Sequence, residues 1–209
     1  MNRKPLVMAA AGLALLGLSA CNPVPGDAAY VGDHRIAVSE VQDDTAEVIA
    51  AAAGVTQDPL DPTEVNRRQV NRLVTEQLVA EQAARRGIDV TDAEVDGLLA
   101  QAIGRSDRAG FEAQLAASQL VPPSRLDSFA RTVALNQKLM DGLVPGGDES
   151  AKTAALVEQL GALSAELGTG VAARFGTWDP SQLTVGLPPN DLSTPAPQAQ
   201  VTGGTVQSP

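Results

Sequence analysis

The chain has 209 residues, a net charge of −10 and five aromatic side chains, so length bounds it to one domain with tails. The acidity excludes nucleic acid and anionic lipid as targets of a basic surface. One cysteine excludes an intrachain disulfide, and one histidine, His34, leaves little material for a zinc site or a histidine relay.

With so few rings the core must be built from Leu, Val and Ala, which suits closely packed helices better than a sandwich. Residues 1–20 read as a lipoprotein signal peptide. Arg3 and Lys4 form a charged start, and residues 6–18 are an apolar run too short for a membrane span. The tetrad Leu18-Ser19-Ala20-Cys21 puts small side chains before a nucleophilic sulfur. It resembles the lipobox of bacterial lipoproteins, which implies cleavage between Ala20 and Cys21 and a diacylglycerol on Cys21. Two acyl chains meet the requirement for stable anchoring. The expected location is the extracytoplasmic face of the cell membrane. Residues 21–28 are then the lipidated cysteine and a Pro/Gly tether that spans at most about 25 Å.

Residues 29–38 read as a small hairpin with Gly32-Asp33 as its turn. Ser39, with Gln42 at the capping-box position, starts a helix whose inner face is Val41, Thr45, Val48, Ile49 and Ala52, and Gly54 ends it. Asp61 is the next N-cap, with Pro62 at the first helical position and Glu64 completing a capping box. Val70, Leu73, Val74, Leu78, Ala80 and Ala84 continue that helix to Gly87. Thr91 and Glu94 box the start of another, with Val90 stapled to Val95 and an inner face of Val95, Leu98, Leu99, Ala102 and Ile103.

A short helix carries Phe111 and Leu115 and ends near Gln119. After an extended Pro122-Pro123, a long helix over 124–141 shows the stripe Leu126, Phe129, Ala130, Val133, Gln137 and Met140. A last helix over 148–167 turns Leu156, Leu160, Leu163 and Leu167 inward and stops at Gly168. Residues 171–175 are a strand candidate, 176–179 a turn, and 183–185 a second strand candidate. Residues 186–209, with five prolines, hold too little apolar surface to order themselves.

The segments AAYVGDHRIAVSEV, AARRGIDVTDAEVD, FEAQLAASQLVPPSRLDSFARTVALNQKL and ARFGTWD, in that order, resemble the N-terminal domain of SurA/PrsA-type foldases. The resemblance covers residues 29–185. It implies a mainly α fold: a helical bundle closed by a small antiparallel sheet that joins N- and C-terminal strands. In the full foldases a parvulin prolyl-isomerase domain precedes the returning segment. Here only residues 142–170 lie there, fewer than the roughly 50 of a small domain. The resemblance therefore implies a polypeptide-binding module without the isomerase.

No residue set reads as catalytic, and no metal or cofactor is called for. Asp43-Asp44, Asp58 with Asp61, and Asp89 with Asp92 and Glu94 read as caps and solvated charge. Phe111, Leu115, Leu120, Phe129 and Met140 are the candidate lining of a peptide groove. Tyr30, Arg174, Phe175 and Trp178 are the candidates for closing the fold, with Trp178 pinning the returning segment and Arg174 stacking on a ring or pairing with a carboxylate. The expected partners are unfolded or partner polypeptides of the cell envelope, and the membrane through the lipid. The function is non-catalytic chaperone or holdase binding; the alternative is an adaptor lipoprotein that docks a folded partner. The polarity of the space between the 63–86 and 124–141 helices discriminates between them. The sequence does not specify the oligomeric state.

Overall fold

The computed structural model describes residues 26–104 and 107–187. Strand β1 (Asp27–Val31) turns at Gly32-Asp33 into β2 (His34–Ala37), and helices α1 (Val38–Ala52), α2 (Pro62–Arg85), α3 (Asp92–Ile103) and α4 (Arg108–Gln119) follow. A 3-10 turn, Pro123–Arg125, leads into α5 (Leu126–Leu143), then α6 (Glu149–Leu167) and the short strands β3 (Gly170–Val171), β4 (Thr177–Asp179) and β5 (Thr184–Gly186). The fold is mainly α, and the chain between α5 and β3 is filled by the single helix α6 rather than by an inserted domain. No described helix is long and apolar enough to cross a membrane.

Long α2 is the axis of the packing: α1, α5, α6, β1 and β5 all rest on it, while α4 lies on α1 and α3 on α5. Asp61 accepts from the Thr63 amide at 2.9 Å, and Pro62 occupies the first helical position, where its missing N–H costs nothing. The capping box expected at Glu64 does not form, because that carboxylate is taken by Arg67 at 2.5 and 2.6 Å and by Arg68 at 2.8 Å. The inner face of α2 also turns away from Ala80 and Ala84, which are exposed, to Val79, Gln82 and Ala83. Over 24 residues the apolar stripe drifts round the helix to follow β1 and α6.

Ser39 is not the cap of α1. The helix leaves β2 without a loop, its N-cap is Ala37 with no side-chain bond, and the Val38 amide donates to the Gly26 carbonyl at 2.9 Å. The α3 start is as expected: Thr91 accepts from the Glu94 amide while Glu94 accepts from the Thr91 amide at 2.8 Å, and Val90 and Val95 are both buried. Pro123 begins the 3-10 turn rather than an extended entry, which delays α5 to Leu126.

Two sheets form where one was expected. The first has the order β2-β1-β3, all antiparallel, with Ala29 opposite Val171 and Tyr30 opposite Gly170. It joins the N-terminal hairpin to the returning chain. The second is the hairpin β4-β5, with Trp178 opposite Val185. Residues 176–179 are thus mostly strand, and the turn lies at 180–183. The 171–175 strand shortens to two residues because Ala172 to Phe175 close a turn, with the Phe175 amide on the Ala172 carbonyl at 2.8 Å. Gly186 pairs with Thr177, so ordered structure runs past the boundary expected at 185.

Candidate functional site

Helices α3, α4 and α5 enclose a groove of about 140 Å³ whose lining is wholly apolar. Leu98 and Ala102 come from α3, Phe111 and Leu115 from α4, and Phe129 and Val133 from α5, with Leu99, Leu126 and Ala130 also lining it. Leu98 is 37% exposed and Val133 45%, two of the four large hydrophobic side chains that stand out from the described surface. Sequence periodicity put both in the core. The α3 stripe is wider than the surface α5 can cover, so its Leu98–Ala102 side stays open and Val95 and Leu99 are buried instead. On α5 the buried face is Leu126, Ala130, Ala134, Leu135 and Leu139, rotated toward α6 and away from Val133 and the exposed Gln137.

Polar bonds hold the groove walls in place. Arg131 and Lys138 of α5 reach the loop before α3: Arg131 donates to the Val90 carbonyl and pairs with Asp92, and Lys138 donates to the Asp89 carbonyl at 2.7 Å. Lys138 also pairs with Glu94 at 2.7 Å. That ammonium first, and then the Thr91 amide and hydroxyl, hold the Glu94 carboxyl down at about 2 from its ordinary 4.5. At the other wall, Asp107 caps α4 through the Gly110 amide at 2.7 Å, and fully buried Gln69 donates to the Leu120 carbonyl at 2.6 Å.

Of the five groove candidates, Phe111, Leu115 and Phe129 are brought together here. Leu120 is not among them. It is the left-handed C-cap of α4 (φ 57°), and the chain reversal puts its side chain in a separate cluster with Val48 and Val65. Met140 lies three turns beyond Phe129 on α5, about 16 Å along the axis. There it meets α6, with its Sδ 3.9 Å from the Thr153 hydroxyl.

The space between α2 and α5 is a second, larger cleft of about 510 Å³ lined mainly by polar and charged side chains, so the apolar crevice that would favour a holdase is not found there. Arg67, Arg68, Asn71, Arg72, Thr75 and Glu76 line it from α2, and Phe129, Thr132 and Asn136 from α5. Phe129 therefore borders both depressions. Behind this cleft is a cluster that the sequence reading missed. Asp44, read there as solvated, is 4% exposed and pairs with Arg72 at 2.7 Å and with Arg125 at 3.1 Å. Arg72 also holds Glu76 at 2.8 Å, and Arg125 holds Glu40 at 2.7 Å. Burial works against the Arg125 charge, but Asp44 and Glu40 more than offset it, so its pKa is raised. The available signal was Asp44 at the i+3 position from Val41 on the inner face of an amphipathic helix.

The closing residues stand apart from both depressions. The Tyr30 ring is buried under the Arg35 guanidinium, 5.4 Å from its centroid, and lies so close to Gly170 that a side chain there would meet the ring. Exposed Arg174 stacks on Phe175 at 5.1 Å. The Trp178 indole N–H donates to the buried Ser164 hydroxyl of α6 at 2.8 Å. His34 is an exposed strand residue. No cluster of three His, Cys, Asp or Glu that could hold a metal occurs among the described residues. Ala20 and Cys21 lie outside them, as does the 188–209 part of the tail.

The family model described as SurA-like N-terminal domain matches residues 5–140, well over half of the chain. The chain belongs to this SurA-like family. The match ends within α5, so the groove walls all lie inside it, while α6 and the returning strands lie beyond. No curated protein and no solved structure matches. Membership in this SurA-like family points to a domain of chaperone type.

Proposed function

We propose that this SurA-like domain is a membrane-tethered holdase that takes an apolar side chain of an unfolded or partner polypeptide into the α3–α4–α5 groove. The wholly apolar lining of that groove, with Leu98 and Val133 left open to solvent, is the observation that carries this reading. Its volume is below the roughly 300–1,000 Å³ of small-molecule sites, a size suited to one large side chain rather than a whole ligand. Binding a side chain needs no reactive group, consistent with a family of chaperone type. In this reading Cys21 carries the lipid and holds the groove within a short tether of the membrane.

The groove is tested with Val133→Asp and Leu98→Asp. Each places a charge on an exposed rim, so the fold should survive while binding of an unfolded model protein, and its protection from aggregation, is lost. Equal protection by wild type and both variants would overturn the reading. A folded envelope protein bound in place of unfolded chains would support the adaptor alternative. Anchoring is tested separately: Cys21→Ala should leave the membrane fraction or remain uncleaved, and a matured, membrane-bound variant would rule out the lipid anchor.

A further inference from the structure

Both ends of the described chain leave the fold at one place. The Gly26 carbonyl accepts from the Val38 amide at 2.9 Å, and the Ala28 carbonyl accepts from the Ala172 amide at 2.8 Å. The start of β1 therefore lies beside the first residue of α1 and beside the turn of the returning chain. Val38 lines a surface depression of about 300 Å³ together with Arg174, Phe175 and Leu187. Leu187, the last described residue, is 75% exposed, the most open of the large hydrophobic side chains on the described surface. Arg174 is exposed, with its guanidinium stacked on the Phe175 ring. The two carboxylates of the lining are engaged: Asp61 caps α2, and Glu64 is held by Arg67 and Arg68. From this end β1 runs along α2, because its turn, Gly32-Asp33, shares another depression with Gln77 and Glu81. The stretch of α2 from Glu64 to Glu81 is about 25 Å long, so the hairpin turn marks the opposite pole.

In the proposed function the lipid is on Cys21, and the inference rests on that part of the reading. Residues 22–26 then span at most about 17 Å, however they are arranged. A body the size of residues 26–187 has a radius of gyration of about 15 Å and is roughly 40 Å across. With a tether less than half as long as the body, the Gly26 pole is the one the bilayer meets. An exposed leucine, a ring and an arginine suit the boundary between headgroups and acyl chains. Leu187 and Phe175 offer apolar area, and Arg174 can keep its charge at the level of the phosphates. We propose that the depression lined by Val38, Phe175 and Leu187 is a second membrane contact, seated on a zwitterionic lipid surface, and that it fixes the orientation a lipid anchor alone leaves free. Apolar insertion rather than charge drives it, because Arg67, the other cation of the lining, is spent on Glu64.

The test uses the full lipidated chain in phosphatidylcholine vesicles. A thiol-reactive fluorophore is placed through Gln42→Cys, at an exposed position that lines the depression, or through Ala84→Cys, at an exposed position near the other end of α2. Cys21 is the chain's one cysteine and carries the lipid, so only the introduced thiol reacts. A nitroxide on the lipid headgroup should quench the Gln42 label at least about threefold more than the Ala84 label if apolar contact holds this pole at the interface. Leu187→Ser should remove most of that difference, while the protein stays with the vesicles and keeps its melting temperature, as exposed substitutions do. Equal quenching at the two labels, or no effect of Leu187→Ser, overturns the inference and leaves the lipid anchor standing. A chain that does not associate with vesicles at all overturns both. If truncation after Leu187 moves the Gln42 label to a more polar emission in vesicles without nitroxide, the chain's own tail covers the depression. A crosslinked dimer lost on Leu187→Ser would put a second copy there. Either result overturns the inference.

Discussion

The junction of α1 with α2 and the junction of α3 with α4 differ in what fills them. At the first, buried Asp44 is shared by Arg72 and Arg125, and each arginine is held by a further carboxylate. At the second, apolar side chains from three helices leave a groove that none of them fills. A buried ionic cluster is intolerant of change, because removing one member strands the others in low dielectric. An open apolar groove tolerates change in stability terms and responds to it in binding terms. The molecule thus pairs an ion-paired frame on α2 with an apolar opening on α5.

The comparison breaks most severely at Asp44. Asp44→Ala should destabilise the domain by about 3–5 kcal/mol, since Arg72 and Arg125 lose their shared partner. Chemical denaturation measures this, and a change below about 1 kcal/mol would mean that the cluster is not part of the frame. Trp178→Ala comes next. Its indole is half-buried and bonded to Ser164, so a loss of at least about 2 kcal/mol is expected, with faster amide exchange in β4 and β5. An unchanged melting curve together with lost client binding would make Trp178 a binding anchor instead.

The groove rim sharpens the contrast from the other side. Val133→Asp should shift stability by no more than about 0.5 kcal/mol, as exposed substitutions do. A large loss of stability would show that Val133 belongs to the core. The smallest effect is pH-dependent and concerns the groove wall. Glu94 has a depressed pKa in the folded state, so its contribution is fully present above its ordinary 4.5 and is lost as pH falls toward about 2. Between those values the α3 cap and the Lys138 pair should loosen, and amide exchange in α3 should rise before that of α1. Glu94→Gln should remove most of this pH dependence. If α1 and α3 loosen together in the variant as in wild type, the cap is not the cause.

Local chemistry was enough to read most of the helices from the sequence. Asp61 with Pro62, Thr91 with Glu94, Asp148 and Gly168 act within one turn of their own positions, so they are legible without the rest of the fold. The failures have a common form. Ser39, Ala80, Leu98 and Val133 were assigned by pattern, but their fate depends on which element packs against them. Ser39 lost its capping role to the carbonyl of Gly26, twelve or more residues upstream. Leu98 and Val133 carry the same periodic signal as Leu99 and Ala130, and only the arrangement of α4 and α6 around α5 decides which pair is covered. Leu120 and Met140 failed as groove residues for the same reason, one through a left-handed backbone and the other through distance along a helix.

By itself the sequence determined the helical period, the caps, the acidic and ring-poor composition, and the order of segments that resembles SurA-type domains. Each of these is a property of neighbouring residues or of the chain as a whole. The tertiary structure alone decided that Asp44 is a buried ion-pair partner, that mainly polar and charged side chains line the space between α2 and α5, and that the apolar opening lies between α3, α4 and α5. Those outcomes depend on residues tens of positions apart meeting across a helix interface, and a one-dimensional pattern that records spacing does not record which faces meet.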